Sequence, residues 1–133
     1  MTDQDAAAFW TERHLCVLAT PRADGSIHLV PVGATYDPAS GTARVITSAT
    51  SVKVRNIRRA AAPVRVALTQ VDGRRWTTLE GVAQVTDDPT AVKDAEERYA
   101  RRYRQPRPNP ARVVIEIAVD RVLGTCRVPL PGR

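Results

Sequence analysis

Thr47-Ser48-Ala49-Thr50-Ser51 places four hydroxyls in five residues, immediately ahead of Lys53 and Arg55. The segment closes a strand-like stretch and opens a helical one, so unpaired backbone N–H groups gather at a partly positive helix N-terminus. Hydroxyls beside such a terminus, with a lysine above it, make a cradle for a phosphate. The same residues also suit a plain N-capped surface helix, since Ser and Thr are frequent caps. Trp76 follows the basic turn Asp72-Gly73-Arg74-Arg75. An indole at that strand start would cover a flat aromatic ligand or pack into the core. In the stretch Arg98 to Arg104, Tyr99 and Tyr103 share a core-facing helical stripe, which leaves the arginines exposed to an anion or to solvent.

Other chemistries find no support. The seven glycines never form G-x-G-x-x-G or a Walker loop. Cys16 and Cys126 have no histidine at ligand spacing, so no metal site is expected. His14 and His28 both fall in strand-like segments and read as half-buried structural residues. There is no G-x-S-x-G nucleophile elbow, and no residue is singled out as catalytic.

The elements that must position these residues follow from periodicity and turn chemistry. Thr2 to Arg13 reads as an opening helix with a Thr2/Asp5 capping box and an apolar face of Ala6, Phe9 and Trp10. Strands are expected over His14–Thr20, Ile27–Tyr36 and Thr42–Ser48, joined by turns at Asp24-Gly25 and Asp37-Pro38. A helix over Thr50–Arg59 follows, with Val52, Asn56 and Ile57 at helical spacing. Val64–Val71 and Trp76–Thr86 alternate as strands around Asp72-Gly73. Asp88-Pro89 starts a helix running to about Arg104. The proline-rich Gln105–Pro110 cannot continue it. Val113–Val119 is a further strand, and Arg121–Arg127 a short final one. Strands joined by hairpins disfavour a doubly wound parallel sheet, and six or seven of them avoid open edges by curling into a barrel.

The chain has 133 residues, 43% hydrophobic and 26% charged, which fits one domain over residues 1–133 with a real core. No apolar run is long enough for a membrane span, and the acidic N-terminus lacks a signal-peptide pattern. Two cysteines without an export signal read as reduced thiols of a cytoplasmic protein. The net charge is +6 and the pI near 10.1. Only Lys53 and Lys93 are lysines, which leaves 18 of the 20 basic residues as arginine. Such a balance points to an anionic partner, and arginine suits carboxylate or phosphate. Part of it, including Arg22 and Arg133, reads as solvated surface. Nucleic acid is disfavoured, because one Phe and three Tyr cannot furnish an aromatic reading sheet.

Ser51-Val52-Lys53-Val54-Arg55-Asn56-Ile57-Arg58-Arg59, after Thr47-Ser48, together with Trp76-Thr77-Thr78-Leu79-Glu80-Gly81-Val82-Ala83, resembles the pyridoxamine 5′-phosphate oxidase-like family of split β-barrel flavin and deazaflavin oxidoreductases. The resemblance covers nearly the whole chain. The Arg98-to-Ile115 stretch, with Arg102-Tyr103-Arg104-Gln105-Pro106-Arg107-Pro108-Asn109-Pro110, looks most like the branch that uses coenzyme F420, and within it the F420-dependent biliverdin reductases. The implied fold is mainly β (α+β): a split β-barrel of six or seven mostly antiparallel strands with about three helices.

The resemblance implies a homodimer with the cofactor in a groove between subunits. Ser51, Lys53 and Arg55 would hold its phosphate, with Thr47 and Ser48 beside them. Backbone around Pro31, Val32 and Gly33 would line the deazaflavin edge, and Gln70, Arg74 and Trp76 the groove wall. The implied activity is hydride transfer from reduced F420 to a conjugated small molecule, such as the tetrapyrrole biliverdin, giving bilirubin. No position matches a dedicated proton donor. An FMN-dependent oxidase on the same barrel and a non-catalytic F420- or haem-related binding protein are the alternatives.

Overall fold

Short turns set the order of the strands. A computed structural model describes residues 2–132; Met1 and Arg133 lie outside them. The elements are α1 (Asp3–Thr11), β1 (Cys16–Pro21), β2 (Ile27–Val32), β3 (Ala34–Asp37), β4 (Thr42–Ser48), α2 (Val52–Arg59), β5 (Val64–Asp72), β6 (Arg75–Thr86), α3 (Pro89–Arg102) and β7 (Arg112–Gly124). At the β1–β2 hairpin Gly25 takes a φ of +86°, a conformation that favours glycine. The capping box closes as the sequence predicts, Thr2 and Asp5 each bonding the other's backbone N–H. Asp88 caps α3 by accepting from the Ala91 N–H at 3.0 Å.

All seven strands join one antiparallel sheet in the order β2-β1-β5-β6-β7-β4-β3. Its two edge strands, β2 and β3, are consecutive in the chain and separated only by Gly33. A sheet whose opposite edges are one residue apart must curl until they meet, which makes the split barrel. The single strand expected over Ile27–Tyr36 is therefore two. At the seam a Cβ on Gly33 would lie 2.7 Å from Tyr99 Cε2, so only a bare backbone passes beneath α3. The Tyr103 hydroxyl pins the next residue, accepting from the Ala34 N–H at 3.0 Å and donating to the His14 carbonyl at 2.7 Å.

The sheet's concave face is the core. Leu18, Leu68 and Leu79 pair across β1, β5 and β6, and Ile115 and Ile117 continue the layer on β7. Each such fully buried side chain stabilises the fold by roughly 1.5–3 kcal/mol. Ala6 and Trp10 of α1 join this core, and Phe9 is fully buried beside them. Val54 and Ile57 root α2 against it, whereas Val52, expected on the buried stripe, is exposed.

Two further expectations change. The strands foreseen over Val113–Val119 and Arg121–Arg127 are one strand, β7, with a register shift opposite Glu80 and Gly81 that leaves Asp120 as an extra residue. Gly81 permits the close approach there, because a Cβ would run into the Ala118 carbonyl oxygen. Helix α3 stops at Arg102 rather than Arg104, and Arg102 points inward with 7% exposure. Its guanidinium donates to the carbonyls of Glu12 (2.8 Å), Ala34 (2.7 Å) and Phe9 (3.3 Å), and to Gln70 Oε1. It also lies 4.9 Å from the Trp10 ring centroid. Among the described residues no helix is long and apolar enough to cross a membrane.

Candidate functional site

Helix α2 is held by one face and offers the rest to solvent. Val54 and Ile57 are apolar anchors. Between them Asn56 donates to Thr20 Oγ1 at 3.0 Å and accepts from Arg59 Nη2 at 2.8 Å. The first turn carries no acidic residue. Ser51 is its N-cap, yet its hydroxyl makes no capping bond; Oγ is buried and has no hydrogen-bond partner. An N-cap serine ordinarily accepts from an N–H of the first turn. Here both the hydroxyl and that N–H dipole remain for a ligand. Lys53 is half-buried and forms no ion pair among the described residues, and burial pushes its ammonium below the usual lysine pKa. A desolvated cation next to an orphaned hydroxyl favours an incoming anion.

The chain links this turn to a cleft, since the Ser51 N–H donates to the Ser48 carbonyl at 3.1 Å. The cleft, of about 360 Å³, brings Gly33, Thr47 and Ser48 together with Tyr99 and a strap of residues after α3. Sequence reasoning missed the strap's side chains: Arg104, Arg107, Asn109 and Arg112 all line the cleft. Asn109 Nδ2 donates to Ser48 Oγ at 2.9 Å. Arg112 ties the strap down, donating to Glu96 Oε2 (2.6 Å) and the Arg107 carbonyl (2.7 Å). Arg104 and Arg107 are exposed and form no ion pair among the described residues. The signal was in the alternation of proline with arginine and asparagine. Such a segment cannot join a sheet or a helix and presents its side chains from an extended backbone.

The remaining candidates lie elsewhere. Pro31 is exposed on the outer face of β2, paired with Val17, whereas Val32 faces the core. Arg55 lines a separate cleft of about 410 Å³ with Arg22 and Arg59. Arg74 is exposed in the β5–β6 turn, and Trp76 stands beside it on the outer sheet face, 38% exposed. Gln70 departs from a groove wall altogether. It is 1% exposed, with Nε2 donating to the Phe9 carbonyl at 3.0 Å and Oε1 taken by Arg102. The arginines of α3 were expected outside, and Arg102 is the exception for the same reason.

This arrangement has relatives. Residues 2–126 match the family model described as pyridoxamine 5′-phosphate oxidase. The chain belongs to that family. This family member is 57% identical, over 121 residues, to an F420H2-dependent biliverdin reductase of Mycobacterium tuberculosis (strain CDC 1551 / Oshkosh), covering 91% of this chain and 86% of that one. Its fold is similar to a crystal structure of a conserved hypothetical protein from Mycobacterium tuberculosis, with a TM-score of 0.74 and 28% identity over 92% of this chain and 82% of the other. An F420 reductase structure shares the fold at a TM-score of 0.69 and 23% identity, covering 87% and 94%.

Proposed function

We propose that this protein binds reduced F420 and reduces biliverdin to bilirubin, acting as a single domain over residues 1–133 in the cytoplasm. The 57% identity over most of the chain to an enzyme named for that reaction carries the reading. The site's own chemistry fits a phosphate-bearing cofactor. The buried Ser51 hydroxyl lacks a partner, and Lys53 is partly desolvated with no acid beside it. Ser51 and Lys53 would hold the phosphate, with Thr47 and Ser48 at the rim. Arg104 and Arg107 on the strap, and Arg55 across α2, match the glutamate tail in charge. Backbone from Pro31 to Gly33 would border the deazaflavin.

Bound F420H2 supplies hydride chemistry toward the central methine carbon of a bilin. The chain's part is to orient and to shield. Tyr99 and Tyr103 fix the seam at Gly33, and strap arginines would pair the propionates of a tetrapyrrole. The Tyr103 hydroxyl is committed to the His14 carbonyl and the Ala34 N–H, and burial makes it a weaker acid than an ordinary tyrosine, so it is not assigned as proton donor. In this reading the accompanying proton is supplied by solvent.

A homodimer belongs to the same reading. Leu29 (66% exposed), Val71 (66%), Trp76 and Leu123 lie on the outer sheet face, joined through the register by Ala19, Ala67, Thr69 and Thr78. An apolar band on a sheet face suits burial against a second copy. The deciding experiment mixes the protein with F420H2 and biliverdin and follows cofactor reoxidation together with bilirubin formation. Failure to bind F420 at physiological salt overturns the proposal.

A further inference from the structure

The backbone fixes the direction of one hydrogen bond in the strap that follows α3. The Ala111 N–H donates to Asn109 Oδ1 at 2.9 Å, closing an Asx turn. A backbone N–H can only donate, so the amide atom facing it must be the oxygen. The other amide atom, Nδ2, then faces Ser48 Oγ at 2.9 Å and can only donate to it. The strap has little freedom to turn this amide over. Pro108 and Pro110 fix φ on either side of Asn109. The Arg112 N–H donates to the Asn109 carbonyl at 3.1 Å, and the Ala49 N–H to the Ala111 carbonyl at 2.9 Å.

Ser48 is left with a directed proton. A serine hydroxyl has one donor and two acceptor positions. Asn109 occupies an acceptor position, and among the described residues Ser48 Oγ donates to no partner. Because the Asn109 oxygen is turned toward Ala111, the amide offers Ser48 no acceptor. Ser48 and Asn109 both line the cleft that Gly33, Tyr99 and Arg104 share. Ser48 also stands directly before the Ser51–Lys53 turn, its carbonyl accepting from the Ser51 N–H at 3.1 Å.

We propose that Asn109 is a positioning residue of the phosphate site: it holds Ser48 Oγ as an acceptor and so commits the Ser48 proton to a phosphate oxygen of the bound cofactor. An ionised phosphate oxygen only accepts, so a hydroxyl already held as an acceptor is matched to it. A freely rotating hydroxyl would first have to give up its other orientations. This inference rests on the F420 reading of the cleft. It makes Ser48 a donor to the phosphate rather than a rim contact, and it gives the proline-rich strap a part in binding.

The test is a double-mutant cycle on F420 affinity in the full chain, read by titration calorimetry at fixed salt. Asn109→Asp keeps an acceptor for the Ala111 N–H but puts a second oxygen against Ser48, which draws the Ser48 proton back to the strap. The new negative charge also repels an anionic cofactor, whether or not residue 48 carries a hydroxyl. That repulsion cancels in the cycle, and the coupling between the two positions isolates the directed proton. Ser48→Ala alone is expected to weaken F420 about three- to tenfold, the worth of a neutral hydrogen bond. Asn109→Asp is expected to cost about three- to tenfold more affinity with Ser48 present than in the Ser48→Ala chain. If Asn109 merely pins the strap, the reversed hydrogen bond from Ser48 still pins it and the coupling vanishes. Ser48→Ala within about twofold of wild type, or a coupling below about twofold, overturns the proposal and leaves the F420 reading in place. A wild-type chain that does not bind F420 overturns both.

Discussion

Replacing Lys53 by methionine separates holding the cofactor from holding the fold. The methionine keeps the apolar stem and removes the charge. Lys53 has no carboxylate partner among the described residues, and burial already depresses its pKa, so the folded chain gains nothing from its charge. The melting temperature should stay level or rise slightly. Cofactor affinity should fall, because a charge-assisted hydrogen bond is worth about 1.5–3 kcal/mol and each ~1.4 kcal/mol is tenfold. The expected loss in F420 affinity is therefore about 10- to 150-fold. Ser51→Ala removes a neutral hydroxyl worth about 0.5–1.5 kcal/mol, so its loss should be no more than about tenfold. Titration calorimetry at fixed salt reads both. The pH dependence supplies the sign. Wild-type affinity should decline with rising pH through a value below the ordinary lysine range, as the ammonium loses its proton. Lys53→Met should be flat across that window. A variant that binds F420 within twofold of wild type, or shows the same pH profile, refutes the placement of the phosphate.

Gly33→Ala brings a Cβ to 2.7 Å from Tyr99, and should cost about 1–3 kcal/mol in urea unfolding; Tyr99→Ala in the same chain should recover part of it. Arg102→Met strips donors from the carbonyls of Glu12, Ala34 and Phe9. At about 1–3 kcal/mol for each unsatisfied group, the unfolding free energy from urea titration should fall by at least ~3 kcal/mol, and a loss below ~1 kcal/mol argues against a structural cation. Leu29→Glu combined with Val71→Glu should turn a dimer into a folded monomer by sedimentation velocity, and an unchanged mass removes the outer face as the interface.

Much of this architecture is local and so legible in the chain. The Thr2/Asp5 box, the Asp88-Pro89 start and the alternation of β5 and β6 each report a short-range constraint. Gln70 shows periodicity at its best. It continues the inward series Val64, Val66, Leu68, and the burial period holds it inside although the family resemblance suggests a groove wall. What stayed hidden was set at long range. Nothing between Ile27 and Tyr36 marks a break, because the cause is Tyr99 arriving from α3. Arg102 sits in a run of arginines that reads as solvated, and only carbonyls converging from α1 and β3 make its burial tolerable. At the candidate site the hydroxyl–lysine turn was readable, while the strap residues meet Ser48 only through the tertiary fold.

The position of β7 has a consequence for how the chain is made. Within the sheet, β2-β1-β5-β6 and β4-β3 are two separate blocks, and β7 is the strand that hydrogen-bonds to both. During vectorial synthesis each block can pair internally as it emerges, but their union waits for residues 112–124. Until then the nascent chain presents two unfilled strand edges, β6 and β4, to chaperones and to neighbouring chains. Strand β7 is thus the keystone, and truncation before it leaves a four-stranded sheet and a hairpin with no strand pairing them.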